Sequence, residues 1–182
     1  MADEPFIKRE LLDGQVELVS CNPAWPILFE QQAGLIRKSL GSVALAIEHV
    51  GSTSVPGLAA KPVLDIALTV KDSSREEDYA PALEAHGFEL FVREPDWFAH
   101  RMFKHFSPRT NLHVFSEGCS EVERLKLFRD WLRADETDRA HYEKVKRELA
   151  ALQWVLLQDY ADAKTGVVKE ILQRAAGDRP QT

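Results

Sequence analysis

The chain has 182 residues, of which 45% are hydrophobic and 29% are charged, and this balance predicts one compact domain with a sizeable core. Lys and Arg number 23 against 29 Asp and Glu, which leaves a net charge of −6 and argues against general nucleic-acid binding and against a membrane surface as partner. No apolar stretch approaches a membrane span, and the two cysteines form no CxxC pair. We therefore expect a reduced, cytoplasmic protein.

The predicted elements mix strands and helices in the first two thirds of the chain. A strand over residues 15–19 precedes a helix that begins after Asn22 and ends at Gly41. Strands are predicted over residues 43–50, 63–70, 88–92, 100–106 and 111–115, with a helix over 73–87 between the second and the third of them.

Helical spacing of apolar residues covers the last third of the chain, over residues 121–134, 138–152 and 154–176. The expected fold class is α/β (α+β), a mixed β-sheet packed with helices. The sheet falls in about residues 16–118 and the helical part in 119–176, both within a single domain over 1–182.

One acidic residue interrupts the apolar strand "VLDIALTV". Because side chains alternate along a strand, Leu64, Ile66 and Leu68 line one face and Asp65 the other. A buried carboxylate is costly unless a cation, several donors or water satisfies it. Asp65 is therefore either part of a functional site or one half of a structural ion pair, and the strand alone does not distinguish the two.

The loop before this strand, "GSTSVPGLAAK", carries groups that bind anions. Gly51 can adopt backbone conformations closed to other residues, and Ser52, Thr53 and Ser54 supply hydroxyl and amide donors just before Lys61. The loop is not a Walker-type P-loop, because no Gly-Lys-Ser/Thr is present. A plain serine-rich turn is the alternative interpretation.

At this point the sequence resembles a known family. The segments "EHVGSTSVPGLAAKPVLDI", "NLHVF", "LFRDWLRA", "Y..VK.ELA" and "YADAKTGVVKEI" occur in the order of the motifs of the GrpB family, over about residues 16–171. That family is similar to the nucleotidyltransferase superfamily, whose palm is like that of DNA polymerase β. The resemblance implies a nucleotidyltransferase-like sheet, and some relatives are fused to dephospho-coenzyme A kinases.

In that superfamily a Gly-Ser pair contacts the triphosphate and paired acids on the next strand hold Mg²⁺. The resemblance carries these roles to Gly51, Ser52 and Asp65, with the second carboxylate position falling at Ala67. The two-metal mechanism needs two acids, so an alanine at the second position argues against standard nucleotidyl transfer. A single Asp can still bind Mg²⁺ that keeps water and phosphate ligands.

His113 is the candidate to complete the pair, since strand alternation gives it the face opposite the apolar one, as for Asp65. An Asp65–His113 site favours Mn²⁺ or Zn²⁺ over Mg²⁺, or makes His113 a general base. A half-buried histidine with one hydrogen bond is the alternative. Alternation also places one of Glu48 and His49 on the site face.

Basic and aromatic residues supply further phosphate-binding candidates. Arg101 is predicted to offset phosphate charge, whereas Lys104 falls on the other strand face. Arg129 either binds a phosphate or anchors its helix through a carboxylate. Lys164, one turn after Tyr160, either enters a cleft or extends to solvent.

Two function hypotheses follow, both with a small phosphate-containing ligand or nucleotide as partner. The first is a transferase that uses Mg²⁺ or Mn²⁺ to move a nucleotidyl or phosphoryl group from a nucleoside triphosphate to a small acceptor. The second is a non-catalytic nucleotide- or phosphate-binding module that has lost the paired carboxylates. A pure interaction protein, with its serine loop packed closed under the C-terminal helices, is a third.

Overall fold

A computed structural model describes residues 6–8 and 11–177 of the chain. The helices are α1 (Trp25–Leu40), α2 (Ala80–Glu84), α3 (Ser120–Ala134), α4 (Glu136–Ala150), α5 (Leu157–Ala163) and α6 (Thr165–Gly177). The strands are β1 (Leu11–Gly14), β2 (Ala46–Val50), β3 (Leu64–Val70), β4 (Glu89–Glu94), β5 (His100–Phe106), β6 (Arg109–Ser116) and β7 (Trp154–Leu156).

Five strands form the central sheet in the order β2-β3-β6-β5-β4, and β1 pairs with β7 in a separate two-stranded sheet. Within the central sheet β3 and β6 are parallel, while the other neighbouring pairs are antiparallel. The expected α+β class with a mixed sheet is confirmed. The parallel register sets Asp65 beside Asn111 and Ala67 beside His113, so the polar face of β3 continues onto β6.

One face of the sheet carries the main core. Ile66, Leu68 and Leu112, from β3 and β6, are fully buried there with Ile36 of α1 and Leu83 of α2. Burying one such side chain contributes about 1.5–3 kcal/mol, which fixes the face that each strand turns inward. Asp65 and His113 therefore point to the opposite face.

The C-terminal helices form a second core against the loop that follows β2. Val55 and Leu58 of this loop are buried with Leu132 of α3, Tyr142 of α4 and Ile171 of α6. The middle of the loop is thus packed under the helices, as the interaction-protein hypothesis required. The two ends of the loop are placed differently, because both line a cavity.

Three predicted elements differ from the observed ones. The strand predicted over residues 15–19 is wrong: Val19 makes only an isolated bridge to Ala60, and the strand lies earlier, in β1. The helix predicted over 73–87 shrinks to α2, because the Asp72 carboxylate accepts from the Ser74 N–H at 2.9 Å and forms a turn there.

The helix predicted over 154–176 is also wrong as one continuous element. Residues 154–156 form β7, and the following helix breaks at Lys164, which caps α5 before α6 begins. Gly166, a poor helix former, follows the break directly. Because of this break, Lys164 does not lie on the continuous helical stripe that the sequence predicted. No helix within the described part of the chain is long and apolar enough to cross a membrane.

Candidate functional site

A cavity of about 460 Å³ opens on the polar face of the sheet, between β3, β5 and β6 on one side and α4 and α5 on the other. Its apolar wall includes Leu18, Val63, Phe91, Met102 and Leu157. Its charged lining is mostly cationic, although the whole chain is acidic. The charged residues are Lys8, Lys61, Lys104, Lys146 and Lys164, with Asp65 and Asp159.

Asp65 lies in the floor of this cavity with about a third of its side chain exposed. Its Oδ1 accepts a 2.9 Å hydrogen bond from Asn111 Nδ2. Burial acts to raise the pKa of Asp65, but the neighbouring His113 and Asn111, together with the charge of Lys61, hold it below its usual value. The carboxylate is therefore ionised in the cavity at neutral pH.

Gly51 packs its backbone directly against the Asp65 side chain. Its φ of +68° is a conformation that favours glycine. A Cβ at this position would overlap Asp65 Oδ2 and lie 2.8 Å from Asp65 Cβ. Glycine is thus required here for space as well as for backbone conformation, and the turn that begins at Gly51 is brought close to the acid.

The turn Ser52–Ser54 presents its three hydroxyl groups in different directions. Ser52 and Thr53 line the cavity, but the Thr53 hydroxyl lies 3.0 Å from His49 Nε2. Ser54 turns away: its hydroxyl donates to the Gly51 carbonyl at 2.6 Å, and its own carbonyl accepts from Arg133 at 2.8 Å. The Ser52 hydroxyl lines the cavity as well, in hydrogen-bonding contact with Lys146 and Tyr142.

Lys146 of α4 reaches the cavity from the helical side and is only 2% exposed. Its Nζ donates to Ser52 Oγ at 3.1 Å and to the Ala59 carbonyl, and it lies 4.8 Å from the centre of the Tyr142 ring. Burial lowers the pKa of Lys146 to about 7, and the charge of Lys164 acts in the same direction. Both protonation states are thus accessible near neutral pH.

Lys164 enters the same cavity from the break between α5 and α6. Its Nζ lies 4.4 Å from the centre of the Tyr160 ring, a cation–π arrangement. Burial lowers the pKa of Lys164 to about 8, and the charge of Lys61 contributes. Of the two interpretations of this lysine, the cleft is the observed one.

A chain of side chains leads from the cavity to the edge of the sheet. Glu94 Oε2 lies 2.7 Å from His100 Nδ1, and His100 Nε2 lies 3.1 Å from His113 Nδ1. The other ring nitrogen of His113, Nε2, faces Asp65 Oδ1 at 3.9 Å. The His100 and His113 rings also stack, with centroids 5.3 Å apart. These contacts fix the orientation of the His113 ring beside Asp65.

Two predicted arginines lie away from the cavity. Arg101 is on the opposite sheet face, because the strand alternation groups it with Phe103, and it pairs with Glu76. Lys104 lies on the face of β5 opposite to Arg101, as the alternation predicted, and this is the face that lines the cavity. Arg129 donates to the Glu48 carboxylate at 2.8 Å and to Asp130 at 2.7 Å, so it anchors α3 to β2.

The structure brings seven of the predicted site residues together in this cavity, and the sequence did not single out one central residue. Seven predicted residues line it: Ser52, Thr53, Lys61, Asp65, His113, Tyr160 and Lys164. Lys146 was part of the recognised "Y..VK" motif without being singled out. The spacing could have indicated it. Positions 138, 142, 146 and 150 form a buried stripe at i, i+4 spacing, and a lysine is unusual in such a stripe.

The donors available to a metal ion are Asp65 and His113. Ala67, the position at which the sequence resemblance predicts a second acid, is fully buried. Among residues 6–8 and 11–177, no three His, Cys, Asp or Glu side chains are grouped to hold a metal. This set does not fit a two-metal centre, and a single Mg²⁺ or Mn²⁺ would need its other ligands from water and substrate phosphates.

Comparison with known proteins identifies the family. The profile of a family described as GrpB protein matches residues 15–174. A UPF0157 protein of Halalkalibacterium halodurans is 53% identical over 163 residues, which cover 90% of this chain and 84% of that protein. The crystal structure of conserved protein GrpB from Enterococcus faecalis matches with a TM-score of 0.74 at 27% identity, over 88% of this chain and 98% of that one. The chain belongs to the GrpB family.

A part of some larger proteins is also similar to this chain. A protein named dephospho-CoA kinase from Mycolicibacterium paratuberculosis is 31% identical over 166 residues, which cover 76% of this chain but only 40% of that protein. The similarity therefore concerns one region of that kinase.

Proposed function

We propose that this protein binds a small phosphate-containing ligand, such as a nucleotide, in the lysine-lined cavity. The observation that carries the proposal is the charge of the lining: five lysines and two aspartates face one cavity of about 460 Å³ in a chain of net charge −6. A cationic cavity with partly apolar walls attracts and holds anions.

The two deepest lysines make the argument stronger. Lys146 and Lys164 contact a hydroxyl, a carbonyl and aromatic rings, and within the described residues neither forms an ion pair with a carboxylate. Desolvating a charge without a partner lowers stability. A phosphate group that enters the cavity supplies Lys164 with the missing anion, while Lys146 stays bonded to Ser52 and the Ala59 carbonyl.

The cavity also has room for more than a phosphate. Phe91, Met102 and Leu157 form an apolar wall next to the lysines. Ligand sites commonly combine such a wall with a few polar groups that set orientation. A nucleotide, or another phosphate ester with an apolar or aromatic part, matches both features of the lining.

The test is a thermal-shift titration with ATP, GTP, CTP, UTP, dephospho-coenzyme A and inorganic phosphate, each with and without Mg²⁺ or Mn²⁺. A ligand at 100 times its dissociation constant stabilises by about 2.7 kcal/mol. Lys164→Met is expected to weaken binding about tenfold to hundredfold, since one charged hydrogen bond contributes about 1.5–3 kcal/mol. Lys144→Met, exposed on α4, is the control and keeps full affinity. A panel without any shift for the unmodified protein contradicts the proposal.

A second candidate function is the metal-dependent transfer of a nucleotidyl or phosphoryl group, in line with the resemblance to the nucleotidyltransferase superfamily. The specific observation in its favour is Asp65, an ionised carboxylate on the cavity floor beside His113. Asp65→Asn keeps the shape and removes the charge. This candidate requires that ligand binding depend on Mg²⁺ or Mn²⁺ in the unmodified protein and lose that dependence in Asp65→Asn.

A further inference from the structure

Ser52 and Lys146 form a pair that no step of ligand binding requires. Lys146 Nζ lies 3.1 Å from Ser52 Oγ, within the reach of a general base for the proton of a nucleophile. The Ala59 carbonyl and the Tyr142 ring hold the amine from two other sides. A nucleophile, a base and a group that orients the base are the recurring parts of an activated serine.

The surroundings keep this pair rigid. Ser52 follows Gly51 in a turn that the Ser54 hydroxyl closes at 2.6 Å and that Arg133 of α3 holds through the Ser54 carbonyl at 2.8 Å. Lys146 is 2% exposed within α4. A serine on a braced turn, in direct contact with a buried amine, has a fixed direction of attack.

We propose that Ser52 is a nucleophile that accepts a phosphoryl group from the bound ligand, with Lys146 as its general base. This inference rests on the proposed function, since the phosphoryl group is the one held by the cavity lysines. It adds a covalent phosphoserine step in which Lys61 and Lys164 offset the charge on the transferred oxygens.

The step balances without a further reactant. The neutral Lys146 amine takes the Ser52 Oγ proton while Oγ forms a bond to phosphorus, and the bond from phosphorus to the leaving oxygen breaks. The leaving oxygen then takes the proton from the Lys146 ammonium. The products are phosphoserine, the neutral amine again, and the leaving group, which is an alcohol from a phosphate monoester and a nucleoside diphosphate from a nucleoside triphosphate.

The charge environment of Lys146 favours a base that is neutral at physiological pH. Lys164 from the α5 end acts to lower its pKa, as does Arg147 on its own helix. Glu143 of α4 and Asp65 of β3 act in the opposite direction, and burial is the largest influence. The pKa of about 7 that results leaves much of Lys146 unprotonated near neutrality.

The experiment uses monofluorophosphate, whose phosphoryl group is anionic and whose fluoride leaves without needing a proton. Incubation of the full-length protein is expected to release fluoride and to place one phosphoryl group on Ser52, read by intact mass and peptide mapping. The rate is expected to rise with pH and to level off above a midpoint near 7, the pKa of Lys146.

Variants distinguish a role of Lys146 as general base from a purely structural role. Ser52→Ala is expected to abolish labelling. Lys146→Met, and Lys146→Arg, which keeps the charge, should each slow it at least about a hundredfold and remove the pH midpoint. Lys144→Met on the exposed side of α4 is the matched control and labels at the unmodified rate. Labelling that Lys146→Arg leaves unchanged in rate and pH profile overturns the role of the base.

A parallel thermal-shift titration with inorganic phosphate and monofluorophosphate tells the two proposals apart. Binding without phosphoserine or fluoride release overturns the nucleophile and leaves the binding function standing. The absence of binding by both anions and by every nucleotide overturns the binding function, and the inference with it.

Discussion

The buried and half-buried cations of this protein fall into two regions, one in which they pair with carboxylates and one in which they do not. Outside the cavity, Arg101 pairs with Glu76, and Arg129 pairs with Glu48 and Asp130. Inside the cavity, Lys146 and Lys164 lie against a hydroxyl, a carbonyl and aromatic rings. The two buried arginines are paired with carboxylates, whereas Lys146 and Lys164 have no carboxylate partner among the described residues.

The difference separates structural charge from ligand-binding charge. The arginine fork matches a carboxylate with two parallel hydrogen bonds, so those cations are satisfied within the folded chain. Lysine is a compact point charge whose pKa shifts readily on burial, and the pKa values of Lys146 and Lys164 are lowered to about 7 and about 8. The paired region should therefore control stability, and the unpaired region ligand binding and its pH dependence.

The largest stability effect is expected at Glu76, which pairs with the buried Arg101 and also binds Arg93 through two hydrogen bonds. Glu76→Gln leaves Arg101 buried without its carboxylate and should lower the free energy of unfolding by about 3 kcal/mol, as for other broken buried pairs. Urea unfolding at pH 7 measures it. The neighbouring exposed Glu77→Gln is the control and should change stability by less than about 0.5 kcal/mol. Equal effects of the two variants would contradict the structural role.

The same pair predicts an acid dependence of similar size. Hydrogen bonding to Arg93, with help from Arg101, lowers the pKa of Glu76 from 4.5 to about 2 against the opposing effect of burial. Its stabilisation is therefore complete above pH 4.5 and is lost as the pH falls toward 2. The stability gap between the unmodified protein and Glu76→Gln should close by about 3 kcal/mol across this window, because one pKa unit is about 1.4 kcal/mol. A gap that stays constant from pH 5 to about pH 2 is inconsistent with this linkage.

A stability effect of comparable size is expected at the turn in which Gly51 packs against Asp65. Gly51 and Gly57 both have positive φ, of +68° and +79°, but only at Gly51 would a Cβ overlap the Asp65 side chain. Gly57→Ala should destabilise by about 1–2 kcal/mol from backbone strain alone. Gly51→Ala should lose about 1–3 kcal/mol more through the clash and weaken phosphate binding as well. Urea unfolding and thermal shift with phosphate measure both effects, and equal losses in the two variants would argue against a required close approach.

Whether the sequence predicted which side chains face the cavity depends on the strand. Alternation along "VLDIALTV" separated Asp65 from the packed Ile66 and Leu68, because one face is wholly apolar. The strand "HRMFKHF" carries polar and apolar residues on both faces, so its pattern favoured neither, and only the pairing of β5 with β6 placed Lys104 in the cavity. Local alternation identifies a face only where the two faces differ in polarity.

The cavity itself required the register between strands and the break in the last helix. The parallel pairing of β3 with β6 brings Asn111 and His113 beside Asp65, over a separation of more than 40 residues. The start of α5 at Leu157 follows the strand β7, and periodicity does not reveal the pairing of β7 with β1. Long-range pairing decides both features, which is why a local pattern predicted the residues but not how they assemble.

The smallest predicted effect, that of Lys146→Met on stability, distinguishes the cavity lysines most directly from the paired arginines. Lys146→Met removes a desolvated charge with no carboxylate partner among the described residues, so it should leave stability at pH 7 unchanged or raise it by about 1 kcal/mol. The unfolded chain holds this proton up to pH 10.5 and the folded protein only to about 7, so the unmodified protein should gain stability as the pH rises between them. Lys146→Met should gain less. Urea unfolding at pH 7 and pH 9 measures the slope, and a variant that is strongly destabilised at both would place Lys146 with the structural arginines instead.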